Sequence, residues 1–391
     1  MDMNIYEEIK SIVHKNNNLA YIIGNGINSR YFSNNVPDWK SLLSDLWKEI
    51  YNEDIKVPEG ITYTEFFDLI ELKSLYSNIT NVSATKEFAI KDLPKDLRER
   101  YKDLVVKTHN DRSLETIVNR FKKENDTFLD LSRKFCKSIR EDADELSNID
   151  VVNYIIGAIS EGSKINIYKN ELKKKVVEKY SYNEVSDQAE YVNIIDSIRN
   201  SNNPILTTNF DSLMSTSLDL KMYKMGEHFT DFYPWNVYFS DIELQNSNDG
   251  FAIWHINGLI NYHRSIKLGL SDYMGCVERA RKMLQGKDLI EYFNGKNQNN
   301  WAGYNTWLHI VFNRDLFIFG LALDENEIFL RWLLIQRAKY SRMYSKFLKG
   351  WYVDVNISPG KRLFLEKIGF NVIELKSFDE FNLLYNAIIS K

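Results

Sequence analysis

Polar side chains recur at the ends of short apolar runs, where a rigid backbone could hold them against a ligand. Asn209 and Asp211 close the run Pro204-Ile205-Leu206-Thr207-Thr208-Asn209-Phe210-Asp211. His255 and Asn257 close Ile253-Trp254-His255-Ile256-Asn257-Gly258, and Asp324 follows Phe317-Ile318-Phe319-Gly320. Near the start, Leu19-Ala20-Tyr21-Ile22-Ile23 runs into Gly24-Asn25-Gly26-Ile27-Asn28-Ser29. A strand, a Gly-x-Gly turn and a helix in that order build a nucleotide pocket, because glycines let backbone N–H groups approach a diphosphate closely. The third glycine of the dinucleotide fingerprint is missing, so the turn gains meaning only with the other strand ends.

Each polar tip also has a plainer structural reading. Asn209 could satisfy local backbone groups while Asp211 caps the helix that follows. A single histidine is commonly a hydrogen-bonded structural residue. Strand alternation, however, puts His255 and Asn257 on one face and Trp254 and Ile256 on the other, so two polar groups emerge together. Asp324 reads either as an N-cap or as a partner for a ribose hydroxyl. Four strand ends that each offer a glycine or a polar tip favour a shared crevice.

The elements that must position these tips alternate. Strands are predicted at Leu19–Ile23, Pro204–Thr208, Phe251–Ile256, Asp315–Gly320, Gly350–Val355 and Asn371–Leu375, as brief β-branched or aromatic runs ended by Gly, Asn or Asp. Helical patterns at Trp39–Tyr51, Asp211–Leu218, Glu325–Tyr340, Pro359–Ile368 and Ser377–Ile389 lie between or beside them. The expected fold is α/β, a Rossmann-like doubly wound parallel sheet. Residues 86–199 are charged and helical in spacing, as in Leu114-Ile117-Val118-Phe121 and Leu129-Leu131-Phe135, with Pro94 their only proline. They are expected to form a helical insert, with Lys173–Lys175 as a solvated face.

Composition narrows the class. The chain has 391 residues, 44% hydrophobic and 27% charged, as in globular proteins. A net charge of −4 argues against broad phosphate-backbone binding, so direct binding to nucleic acid is not expected. Cys136 and Cys276 are the only cysteines, too few for a four-thiolate zinc site or a disulfide framework. Met1 to Lys10 read as an acidic helix rather than a leader, and no apolar run approaches the ~20 residues of a membrane span. A cytoplasmic location is expected. Trp301 and Trp307, in the aromatic segment Tyr273–Trp307, are expected in the core, although that segment could also serve as an interface or lid.

The order of motifs resembles the sirtuin-like superfamily, and within it the bacterial NAD-degrading branch of antiphage defence. The matching positions are Gly24–Asn28, Pro37–Leu42, Thr207–Asp211, Trp254–Gly258 and Gly320–Asp324. The resemblance covers roughly the first fifty residues and everything after about Asn200, and leaves the helical insert outside. It departs from the family twice. Asn28 stands where the glycine loop usually has serine, with Ser29 beside it, and Asn257 stands where the family usually has its catalytic histidine.

The resemblance implies an NAD glycohydrolase releasing nicotinamide and ADP-ribose, without a metal, on residues 1–85 and 200–391. It gives the diphosphate to Gly24, Asn25, Gly26 and Asn28, with Thr208, Asn257 and Gly320 around the nucleotide. Asn209 would orient the ribose or the water, Asp211 would hold the Asn209 turn, and Asp324 would meet the adenine-side ribose. For the missing histidine three readings stand open: His255 takes the role, Asn257 works without an imidazole, or the pocket binds NAD as a weakly active sensor. The zinc module of lysine-deacylating sirtuins is excluded by the two cysteines, which makes a deacylase the poorer expectation. The family further implies control through a homo-oligomer or a partner such as a HerA-type ATPase, an Argonaute or a phage protein.

Overall fold

Strand β1 (Leu19–Ile23) is buried along its whole length, as expected for a strand covered on both faces. The computed structural model describes residues 5–32, 38–81, 127–137, 147–152, 165–179, 188–226 and 230–390, with isolated positions 97, 100, 101, 119 and 155. Among the described residues seven further strands join β1: β2 (Ile205–Thr207), β3 (Lys221–Lys224), β4 (Val237–Ser240), β5 (Ile253–His255), β6 (Asp315–Phe319), β7 (Gly350–Val355) and β8 (Phe370–Leu375). Their order across the sheet is β3-β4-β5-β2-β1-β6-β7-β8. From β5 to β8 every pairing is parallel, while β3 and β4 add an antiparallel edge.

Period-two alternation splits the sheet's side chains between two cores. Leu19, Tyr21, Ile23, Ile205, Ile253, Phe317, Phe319 and Val353 face one helical layer. Ala20, Ile22, Leu206, Trp254, Leu316, Ile318 and Tyr352 face the other. Helices Ile5–Lys15, Trp39–Tyr51, Ala189–Asn200 and Phe381–Ile389 contribute to the first layer, and Leu270–Met283 and Ile328–Met343 to the second. The result is the expected α/β, Rossmann-like doubly wound sheet, mostly parallel.

The chain leaves β1 for β2 on one side and later returns to β6 on the other. The carboxyl ends therefore diverge at β1, where such sheets open a crevice for ligands. Register brings those ends level, with Ile23 opposite both Thr207 and Phe319, Thr207 opposite His255, and Phe319 opposite Val353.

Several expectations are adjusted. The β3–β4 hairpin lies outside the predicted set: Lys221–Lys224 is mostly exposed, with lysines at both ends, a charged edge strand without a core pattern. The helix expected over Asp211–Leu218 spans Leu213–Ser217, and the one expected over Glu325–Tyr340 spans Ile328–Met343. Lys173 corrects the solvated-face reading, because its side chain is 2% exposed and its Nζ lies 3.1 Å from Asp272. In the helix Thr127–Lys137, Phe128, Leu129 and Cys136 are buried while Leu131 is exposed. Trp301 and Trp307 are buried, as expected. Pro37, Pro94 and Leu114-Ile117-Val118-Phe121 lie outside the described residues. Among the described residues no helix is long and apolar enough to cross a membrane.

Candidate functional site

A cavity of about 590 Å³ opens at the carboxyl ends of β1, β2, β5, β6 and β7. Its volume falls within the ~300–1,000 Å³ common to small-molecule and cofactor sites. Asn25 and Gly26 reach it from β1, Thr208, Asn209 and Asp211 from β2, and Asn257 from β5. Gly320, Asp324 and Glu327 reach it from β6, and Asp354 and Asn356 from β7.

The glycine turn is shaped by its neighbour strand. The Gly24 N–H donates to the Phe319 carbonyl at 3.3 Å and the Gly26 N–H to the Gly320 carbonyl at 2.7 Å. A Cβ on Gly26 would stand 2.9 Å from both the Cα and the oxygen of Gly320, so any side chain would push the β1 and β6 turns apart. The glycines thus serve first to bring two strand ends together beneath the cavity. Gly24 itself does not line the wall; Gly26, Ser29 and Arg30 do.

Asn28 is also off the wall. It is fully buried, donates from Nδ2 to Asp211 Oδ2 at 3.0 Å, and accepts from the Tyr191 hydroxyl at 3.1 Å. The other Asp211 oxygen accepts from the Leu213 N–H at 3.0 Å, which steadies the turn after β2 just ahead of its helix. Burial pushes the Asp211 carboxyl up to about 6, although the donors from Leu213 and Asn28 hold it partly down. Thr207 Oγ1 donates to the Ile23 carbonyl at 2.9 Å and accepts from the Asn209 N–H at 3.1 Å. Asn209 is therefore presented by a turn fixed at both ends.

His255 and Asn257 are separated by the structure. His255 Nδ1 lies 2.7 Å from the Asn209 carbonyl, and a carbonyl can only accept, so Nδ1 carries the proton. Its Nε2 is buried without a hydrogen-bond partner, and the ring meets Phe239 edge-on. Burial lowers its pKa to about 4, against the opposing pull of the Asn209 carbonyl, so the ring is neutral at pH 7. The cavity wall includes Asn257 but not His255, which sits behind Asn209. Asn257 Oδ1 and Asn209 Nδ2 are both buried and unpartnered.

Asp324 lines the cavity, and its Oδ1 accepts from the N–H and side-chain amide of Asn326, each at 2.9 Å. It closes a turn, while Glu327 occupies the N-cap position of the helix Ile328–Met343. Asn326 in turn accepts from the Tyr63 N–H at 2.8 Å and ties the helix Tyr63–Asn81 to this rim. Glu327 was not singled out from the sequence. Its Oε2 is buried without a partner, and burial followed by the Asp324 charge pushes its pKa up to about 7, opposed by a hydrogen bond with Asn257. In the sequence it is one of several acidic residues at a helix start, and nothing there separates it from Glu325. Tyr273 is likewise a wall residue that its aromatic segment alone did not mark.

Among the described residues no group of three or more His, Cys, Asp and Glu side chains could hold a metal ion. Positive charge at the wall comes from Lys40 and from Arg30, whose guanidinium donates to Asn382 Oδ1 at 2.6 Å. No curated protein matches the chain. Residues 203–306, which carry Asn209, His255 and Asn257, match the family model described as the SIR2-like domain, so this segment is similar to a domain whose chemistry uses NAD.

Proposed function

We propose that this protein is an NAD glycohydrolase that releases nicotinamide and ADP-ribose. One observation carries the reading most directly. Asn209 Nδ2, Asn257 Oδ1 and Glu327 Oε2 are buried without partners, and all three belong to residues of one wall at the sheet's switch point. Native proteins rarely leave such groups unpaired, so a polar ligand that bonds them is the economical explanation. A dinucleotide suits the volume, and Arg30 and Lys40 supply the charge that a diphosphate needs.

In this reading Asn25, Gly26 and Arg30 face the diphosphate, while Asn209 orients the ribose or the attacking water. His255 fixes the Asn209 carbonyl from behind and acts as a positioning residue. Nicotinamide carries positive charge in NAD, so it leaves without a general acid, unlike an ordinary alcohol leaving group. Asp324 and Asp354, both wall residues, would meet hydroxyls of the nucleotide in this reading. The resemblance to the NAD-degrading defence branch supports a role as an antiphage effector held in check by self-assembly or a partner. Incubation with NAD, followed by chromatography of nicotinamide and ADP-ribose, tests the activity. Asn209→Ala is expected to lower turnover roughly 100-fold or more, on the scale of lost transition-state donors; unchanged turnover would refute the assignment.

A second reading is favoured by one feature: no histidine lines the cavity wall among the described residues. The pocket would then hold NAD or ADP-ribose as a sensor. Tight calorimetric binding with no nicotinamide release would select it.

A further inference from the structure

We propose that Glu327 is the proton-accepting catalytic residue of this cavity, acting beside Asn257 on the attacking water. This role rests on the NAD-cleaving reading of the site. Asn257 comes from the end of β5 and Glu327 from the turn after β6, so the two meet only because those strands flank β2 and β1.

The other candidates for the proton are turned away or carry no carboxylate oxygen that is both buried and unpartnered. His255 is neutral, with Nδ1 committed to the Asn209 carbonyl, and it does not line the wall. Among the wall carboxylates, Asp38 accepts the Ser41 N–H and Asp211 accepts from Asn28 and Leu213. Asp324 accepts from Asn326, and Asp354 accepts the Tyr352 hydroxyl and the Val355 N–H. Glu327 keeps Oε2 buried and unpartnered. The titratable groups that face it are Asp324 and Tyr273, and the Asp324 charge opposes its ionisation. Together with burial this brings the carboxyl to about 7, near the value that suits a general base at neutral pH.

The step balances with water as the only co-reactant. The bond between C1′ and the nicotinamide nitrogen breaks, and its electron pair stays on the ring and discharges it. The water oxygen forms the new bond to C1′, its proton passes to the Glu327 carboxylate, and that proton is then lost to solvent. The carboxylate must be ionised, so turnover rises with pH along an acid limb centred at about 7.

The test compares the full-length protein with Glu327→Gln by nicotinamide release across pH, together with calorimetric binding of NAD. The expected result is a fall in kcat of roughly 100-fold or more with binding changed only a few-fold, and loss of the acid limb. Glu327→Asp is expected to recover part of kcat and to retain a limb, which separates a chemical role from a loss of packing. An active wild-type enzyme with an unchanged Glu327→Gln rate and pH profile overturns the role and leaves the NAD-cleaving reading standing. A wild-type protein that binds NAD but releases no nicotinamide at any pH overturns the role in favour of the sensor. A protein that neither binds nor cleaves NAD overturns both. Should Glu327→Gln fail to fold, the wild-type profile decides: an acid limb near 7 supports the role, and a flat profile through that region overturns it.

Discussion

Asn28 illustrates how a side chain that looks ligand-facing can be structural. Its amide links the Tyr191 hydroxyl to Asp211 in a fully buried chain of hydrogen bonds. Asn28→Ala would strand both partners, at about 1–3 kcal/mol for each unpaired group. A lowered Tm with Asn209 still ordered is the expected outcome, checked by thermal unfolding and by residual NAD binding. The titrating groups add a pH signature. Asp211 and Glu327 have raised pKa values of about 6 and 7, so the folded state binds more protons than the unfolded one. Their contribution is full below their unfolded values and is lost as pH rises through the folded ones. His255 runs the other way: its value of about 4 contributes stability above 6.5, lost as pH falls toward 4. Glu327→Gln removes one of the raised groups, so its Tm should gain on wild type from about pH 5 to about pH 8. A constant gap across that range would show that Glu327 titrates at its ordinary value.

At the scale of elements, two contacts join segments next to the cavity: Leu268 and Tyr273, which flank one of them, and Gly26, in the other, line its wall. Lys173, on the helix Ile165–Lys179, reaches Asp272 on the helix Leu270–Met283, and also the Arg264 carbonyl at 3.3 Å. Asp272 closes its own helix start by accepting the Leu268 and Gly269 N–H groups. Lys173→Met would leave a largely buried carboxylate without its cation, at a cost of about 3–5 kcal/mol. The measured loss in a denaturant titration should greatly exceed that of Lys48→Met, whose pair with Asp54 is exposed. The turn contact at Gly26 makes a complementary prediction. Gly26→Ala drives a Cβ against the Gly320 backbone, so the strand ends must separate, at about 1–3 kcal/mol. Because that contact forms the cavity floor, NAD affinity should fall with stability, and an unchanged affinity would uncouple the turn from the site.

For the molecule as a whole, ligand linkage offers a measurement that needs no turnover. ADP-ribose at one hundred times its Kd should stabilise the folded state by about 2.7 kcal/mol, and the Tm should climb with its concentration. Nicotinamide alone, which can meet only one end of the wall, should shift the Tm far less. A Tm indifferent to ADP-ribose would mean that the cavity takes another ligand.

Much of this architecture is legible in the chain itself. Gly350–Val355 and Leu19–Ile23 are strands with the bounds that their apolar runs predict, because burial on both faces leaves a continuous signal. The polar tips Asn209, Asn257 and Asp324 reach one wall because β2, β5 and β6 run parallel in register with β1, which carries their ends to the same side. The helix Trp39–Tyr51 also has the bounds that its apolar pattern predicts, and Asp38 caps it by accepting the Ser41 N–H at 2.7 Å. The tertiary structure decided which of two neighbours lines the cavity: beyond the last residue of β5 the chain bends, so the alternation that grouped His255 with Asn257 ends there. It decided too that Asn28 and Lys173 are internal, since their partners lie 183 and 99 residues away in the chain. Glu327 became distinct for the same reason. A helix-start glutamate is ordinary in sequence, and only burial in the folded cavity, followed by the nearby Asp324 charge, makes it readily protonated at the wall.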